Sequence, residues 1–448
     1  MILQAVIIIP SLGDQLPSYL FEPVAGVPLL LRQILGLKRA GIADIILLIG
    51  SAGQPTNLVR ELEQHQHLVS NATIIPGWSA YHQTAALNRE DAYFLILPID
   101  TLPSRQVYSK VLNQLPPAGA LTLGIRADAK PQSSPQASSQ KNPAVQNQPT
   151  IFPHNPALTT INDTGTAHIC LFSNAAWQDW LDWPKLPEAE PFSEFVAQKA
   201  ASAQVVAVNL EPAEIISLAR DRDRARATHW LIAMENISPL TEGILEKSWN
   251  RPLARFLLPW ILDRPITPNQ ITIFSFLLGL LAVWGFAHGS YAASVGAGLL
   301  LPIVLVLDCL DGSVARLKFQ ETRLGALLDI HGDTVLNLLL FLGIALGCYR
   351  TSGQPIFLGL AILITMGYLT CWRRLRPAPQ NPATVGPQVT VGKPVKAKIL
   401  DEAVSRDFFY LILLVAIFRQ LDWFVVALAV GTNIFAWLVL QRQPHGQN

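Results

Sequence analysis

Four aspartates, Asp308, Asp311, Asp329 and Asp333, fall within 26 residues of the stretch LDCLDGSVARLKFQETRLGALLDIHGD. The first pair is three residues apart and the second four, so on helices each pair shares one face. If a hairpin through Arg316 to Leu324 brings the two faces together, four carboxylates repel one another unless cations stand between them. Oxygen-only donors of this kind select hard ions such as Mg²⁺, Mn²⁺ or Ca²⁺. Small residues accompany the acids: Gly312, Ser313 and Ala315 follow the first pair, and Gly325 and Ala326 precede the second. They permit close helix approach and leave room for a phosphorylated ligand. Arg316 could grip a phosphate with two parallel hydrogen bonds. Metal ions beside such an arginine suit displacement at phosphorus, where attacking and leaving oxygens must be stabilised together. Plainer readings of the same acids are a polar cluster tying helices together or a path for cations.

The surroundings of these acids are apolar. Half of the 448 residues are hydrophobic and only 15% are charged, against about a quarter charged in ordinary soluble domains. The excess lies beyond residue 266, in six apolar stretches near 270–288, 291–311, 325–349, 355–372, 406–419 and 422–440. Most approach the ~20 residues that span a bilayer; the fifth is short. A charge buried in hydrocarbon costs on the order of 3 kcal/mol, so acids there mark a function. The turn between the first two stretches has no Lys or Arg, whereas the next loop has Arg316, Lys318 and Arg323. The loop after the fourth has Arg373, Arg374, Arg376, Lys393, Lys396, Lys398 and Arg406. The positive-inside rule therefore places the region before the helices, the even-numbered loops and the C-terminus in the cytoplasm. Just ahead, Ile244 to Leu262 interleaves Trp, Leu and Phe with Lys247, Arg251 and Arg255, as an interfacial helix on the cytosolic leaflet would. Pro252 and Pro259 are expected to kink or interrupt it.

The pattern Asp308-x2-Asp311-Gly312-x2-Ala315-Arg316-x8-Gly325-x3-Asp329-x3-Asp333 resembles, at every defined position, the signature of the CDP-alcohol phosphatidyltransferases. ITPNQIT at 266–272 and Ser405-Arg406-Asp407 resemble that family's openings of its first and fifth transmembrane helices. The resemblance covers about residues 244–440. It implies a six-helix membrane enzyme that moves a phospho-alcohol unit from a CDP-alcohol to an acceptor hydroxyl and releases CMP. By the same resemblance Asp308, Asp311 and Asp329 hold two divalent ions, Mg²⁺ or Mn²⁺. Asp333 acts as general base and touches metal, and Gly312, Ala315, Arg316 and Gly325 line the CDP site. A dimer is common in that family. Arg406, and after it Arg373 and Arg374, could hold an anionic acceptor or simply set topology beside anionic lipid. A lipid CDP-diacylglycerol-type donor is an alternative within the enzyme class.

Residues 1–235 read differently. Short apolar runs at 5–9, 45–49, 93–99 and 205–208, alternating with helical stretches, predict buried parallel strands of an α/β domain. Lys130 to Pro156, rich in Pro, Gln, Ser and Asn, reads as a flexible inserted loop. The opening strand and loop, Pro23-Val24-Ala25-Gly26-x-Pro28 and RAGI resemble sugar-phosphate nucleotidyltransferases, which implies a Rossmann-like fold with Asp100 at a metal position. Such a domain ahead of the membrane half resembles bifunctional inositol-phosphate cytidylyltransferase and CDP-inositol transferase fusions, as does TEGILEKSWNR at the junction. The phosphate loop departs from that pattern: only Gly13 is retained, with Ser11 and Gln15 replacing a glycine and an arginine. Tyr19 stands where the resemblance puts a catalytic lysine, and Leu210 near a later metal-binding aspartate. Little remains to neutralise a triphosphate, so this domain reads as a degenerate relative without cytidylyltransferase activity. His168 beside Asp163 reads as structural, and Arg220 to Arg226 as a solvated helix face.

The division expected is therefore an α/β domain over 1–235, a junction over 236–265, an all-α membrane domain over 266–441 and a tail over 442–448. A net charge of +1 argues against nucleic acid as a partner. Cys170, Cys309, Cys348 and Cys371 show no disulfide or zinc spacing. The opening MILQAVIIIPSLGD lacks the basic region and cleavage site of a signal peptide.

Overall fold

A computed structural model describes residues 2–9, 18–49, 72–76, 92–99, 101–126, 169–181, 204–218, 223–235, 245–375 and 408–441, with single positions between 195 and 202. Gly13, Asp100, Asp163, His168, Arg406, the 130–156 segment and the 442–448 tail lie outside the described residues. The chain divides into two compact units, Met1–Met234 and Glu235–Asn448.

The first unit is built on a seven-stranded sheet. Its strands are β1 (Ile2–Ile9), β2 (Asp44–Ile49), β3 (Ala72–Pro76), β4 (Ala92–Pro98), β5 (Leu121–Arg126), β6 (Ile169–Ser173) and β7 (Val205–Leu210). Their order is β7-β5-β6-β4-β1-β2-β3. The runs read from sequence as parallel strands are β1, β2, β4 and β7, and each has a parallel neighbour. β6, which is not among those runs, lies antiparallel to both β4 and β5. It is buried throughout, so its uniform apolarity carries no information on direction.

Helices α1 (Leu29–Arg39), α2 (Arg105–Leu112), α3 (Asn174–Leu181) and α4 (Asp223–Met234) complete this unit. The core is aromatic: Trp177 of α3 stacks on Phe94 at 5.1 Å and meets Phe172 edge-on at 5.4 Å. Such pairs add about 0.5–1.5 kcal/mol beyond their buried area.

The second unit is helical. After a short π-helical turn at Glu246–Asn250 come α5 (Arg251–Leu262), α6 (Pro268–His288), α7 (Tyr291–Leu317), α8 (Arg323–Ser352), α9 (Ile356–Leu375), α10 (Phe408–Ile417) and α11 (Leu421–Gln441). Among the described residues α6, α7, α8, α9 and α11 are long and apolar enough to cross a membrane. The remaining stretch of the six expected, α10, is apolar but has ten described residues. The chain is a multi-pass membrane protein.

Contrary to the expectation from its prolines, α5 is unbroken. Pro252 occupies the first turn, where a missing N–H costs nothing, and Pro259 lies within a helix that continues to Leu262. Ala254, Leu258 and Leu262 are buried, while Trp249, Leu253, Phe256 and Trp260 are exposed. Outward aromatics flanked by Lys247, Arg251 and Arg255 are what an interfacial helix presents to lipid. Two anchors hold this helix. Lys318 donates its ammonium hydrogens to the carbonyls of Arg264 at 2.6 Å, Ile266 at 3.2 Å and Ile261 at 3.5 Å. At the other end the Tyr410 hydroxyl donates to Oδ1 of the buried Asn250.

Candidate active site

The acids are positioned by α6, which packs along both α7 and α8; those two helices make their main contacts with α6 rather than with each other. Small residues make the close approach possible. A Cβ at Gly285 would stand 2.9 Å from that of Ala297 on α7, and one at Gly347 of α8 would stand 2.1 Å from the Phe286 carbonyl oxygen of α6. With α7 and α8 both resting on α6, the C-terminal part of α7 carries Asp308 and Asp311 and the N-terminal part of α8 carries Asp329 and Asp333.

The turn between them is defined locally. Phe319 takes the left-handed conformation at φ 57°, and the Gln320 N–H reaches back to the Ala315 carbonyl at 2.9 Å. Thr322 then caps α8, its hydroxyl accepting from the Gly325 N–H at 3.0 Å. The sequence reading placed Arg316 in a loop, but α7 continues through Leu317, so Arg316 projects from the last helical turn.

Asp308, Asp329 and Asp333 each present an oxygen within 4.8 Å of the others. Three carboxylates at that separation form a donor set suited to a hard divalent cation. Asp311 stands outside this trio. It is buried, and its Oδ2 accepts a hydrogen bond from the Thr272 hydroxyl on α6.

Two pockets adjoin the acids. One is lined by Asp311, Gly312, Ala315, Arg316, Gly325 and Asp329, with Asn269 and Thr272 contributed by α6. It brings together all four residues expected at the nucleotide site. A Cβ at Gly312 would stand 3.2 Å from a terminal nitrogen of the Arg316 guanidinium, so the glycine leaves that side chain its position. Arg316 also donates from Nε to Glu235 at 2.7 Å. The second pocket is small, lies against Asp308 and Asp333 and is otherwise lined by Val304, Leu305, Leu336, Asn337, Phe408 and Phe409. Arg373 and Arg374 stand exposed in the last turn of α9 and line neither pocket.

Sequence reasoning missed Thr272, Asn269, Asn337 and Glu235. ITPNQIT was recognisable as a segment that opens a helix, yet nothing in its spacing to residue 311 told which side chain would reach an aspartate 39 residues away. Glu235 had no signal at all.

Residues 265–435 match the model of the CDP-alcohol phosphatidyltransferase family. The match includes all four aspartates and every residue lining the two pockets. Similar curated proteins include a "Bifunctional IPC transferase and DIPP synthase" of Aquifex aeolicus, 37% identical over 93 residues, which are 21% of this chain and 21% of that protein. An "Archaetidylinositol phosphate synthase" of Pyrococcus horikoshii is 39% identical over 82 residues, covering 18% of this chain and 42% of that one. The chain thus spans less than half the length of these relatives. Among solved structures, 4-diphosphocytidyl-2C-methyl-D-erythritolsynthase from Anaerococcus prevotii covers 51% of this chain and 98% of its own, at 14% identity and a TM-score of 0.32.

Proposed function

We propose that the chain is a CDP-alcohol phosphotransferase that moves a phospho-alcohol unit from a CDP-alcohol to an acceptor hydroxyl and releases CMP. The observation that carries this reading is the convergence of Asp308, Asp329 and Asp333 beside a pocket lined by Arg316 and the small residues of one motif. Asp308, Asp311 and Asp329 would hold Mg²⁺ or Mn²⁺. The ions, when bound, would neutralise the diphosphate and stabilise the departing CMP oxygen. Arg316 binds a donor phosphate, Gly312, Ala315 and Gly325 leave the nucleotide room, and Asp333 takes the proton of the acceptor hydroxyl. Asp333 suits that role because it belongs to the acid trio and lies one helical turn from Asp329, which lines the first pocket.

The alcohol is an inositol- or glycerol-type polyol. The printed name of the Pyrococcus relative, an archaetidylinositol phosphate synthase, supports the inositol member of that pair. Arg406, Arg373 and Arg374 are assigned to an anionic acceptor, on the cytoplasmic side that the basic loops define. The first unit is a degenerate nucleotidyltransferase-like domain. In support, Tyr19 packs against the apolar cluster of Val24, Leu29 and Leu102, and Leu210 is fully buried against Gly124. An apolar packing role at both positions fits a domain without the cationic and metal-binding side chains a triphosphate needs.

The test is CMP release by purified full-length protein offered a panel of CDP-alcohols and acceptors, with products identified by mass. Turnover of a CDP-polyol supports the reading. Transport of Mg²⁺ or Mn²⁺ into sealed vesicles without CMP formation would replace it with a cation carrier.

A further inference from the structure

Asp311 differs from the other three acids in what holds it. Asp308, Asp329 and Asp333 gather within 4.8 Å of one another, whereas the carboxylate of Asp311 is turned toward α6 and the Thr272 hydroxyl. The Thr272 hydroxyl has a second acceptor within reach. It stands 3.2 Å from the Pro268 carbonyl one turn back, the i−4 arrangement that helical threonines favour. The turn carrying Pro268 is locked by a reciprocal cap, in which Thr267 and Gln270 each satisfy the other's backbone N–H. A hydroxyl has one proton, so with Asp311 ionised it goes to the carboxylate, the stronger acceptor.

We propose that Thr272 is a positioning residue. By donating to Oδ2 of Asp311 it keeps this carboxylate apart from the acid trio and on the wall of the first pocket, in one orientation toward a divalent cation brought to the donor's diphosphate. Without that bond the carboxylate of Asp311 loses its tie to α6, and a cation must hold its orientation at the cost of affinity. Groups that orient metal ligands in this way typically contribute about 10–100-fold in metal affinity. The inference rests on the metal-dependent reading above, and it assigns a role to a side chain outside the acidic motif.

The experiment compares full-length wild-type protein with Thr272→Val, which keeps the shape and removes the donor, and Thr272→Ser, which keeps the donor. Mn²⁺ binding is read by electron paramagnetic resonance without substrate, and metal-free unfolding temperature is read in parallel. Thr272→Val should weaken Mn²⁺ binding about tenfold or more in protein whose metal-free melt shows it folded at the assay temperature, and Thr272→Ser should bind within about twofold of wild type. In an Asp311→Asn background, Thr272→Val should add nothing further, because the two residues act through one bond. Wild-type binding by Thr272→Val, failure of Thr272→Ser to restore it, or additive effects in the double variant would each overturn the proposal. Failure of the functional reading is distinguishable, since it would show as absent CMP release by a wild-type protein that still binds Mn²⁺.

Discussion

Arg316 gives its Nε hydrogen to Glu235 at 2.7 Å, and the Glu235 side chain is only 9% exposed against 38% for the arginine. A carboxylate therefore already neutralises the guanidinium expected to meet a donor phosphate. Replacing it with an amide keeps a hydrogen-bond acceptor and removes the opposing charge. A half-exposed pair is worth about 0.2–1 kcal/mol, so Glu235→Gln should lower KM for the CDP-alcohol by about two- to fivefold with kcat unchanged. Steady-state kinetics over donor concentration measure this directly. A raised KM would mean that the carboxylate acts by orienting the arginine, and its charge is then no hindrance.

Asp333 belongs to both the acid trio and the second pocket. Its amide variant cannot take a proton, yet keeps nearly the same volume. Asp333→Asn should lose about 10²–10⁴-fold in turnover while still binding CDP-alcohol, as read by calorimetry. Near-normal turnover would move the base to another group.

The acids, glycines and Arg316 were legible in the sequence because helical periodicity converts spacing into a shared face, and because charge is rare in apolar stretches. The membrane helices were legible for the same reason, to within a few residues at most ends. What periodicity cannot carry is a contact between distant turns. Lys318 counted in sequence only as a topology-setting charge, but its ammonium is spent on three carbonyls of the α5–α6 turn. Burial holds its pKa below the usual lysine range. The central role of α6 was equally hidden. Spacing suggested that α7 and α8 fold onto each other, whereas each rests on α6 through glycine contacts that only the assembled helices reveal. In the first unit, the reversed direction of β6 left no trace in a run that is apolar on both faces.

Three clustered carboxylates also predict a response to metal removal. Chelation of divalent ions should reduce CMP release to background, and added Mg²⁺ or Mn²⁺ should restore it, as hard oxygen donors require. Asp308→Asn removes one charge from the trio. It should therefore raise the metal concentration needed for half-maximal activity more than it changes KM for the acceptor. A metal titration of both proteins decides this. Equal titration curves would exclude Asp308 as a ligand.

The α6–α8 seam sets where the acids meet, so a lesion far along that seam should reach the site. A Cβ at Gly347 would stand 2.1 Å from the Phe286 carbonyl oxygen, a backbone atom that cannot swing aside, and 3.4 Å from Gly289 Cα. Gly347→Ala must therefore push α8 away from α6, with a cost of about 1–3 kcal/mol typical of overpacking. Gly359 of α9 provides the control, since nothing lies within 4 Å of a Cβ placed there. Gly347→Ala should lower the unfolding temperature in detergent and, because α8 carries Asp329 and Asp333, weaken Mn²⁺ binding as well. Gly359→Ala should leave both unchanged. If Gly347→Ala lowers stability but binds Mn²⁺ as wild type, the two ends of α8 move independently, and the acids are held by their local turn instead of by the packing of the whole helix.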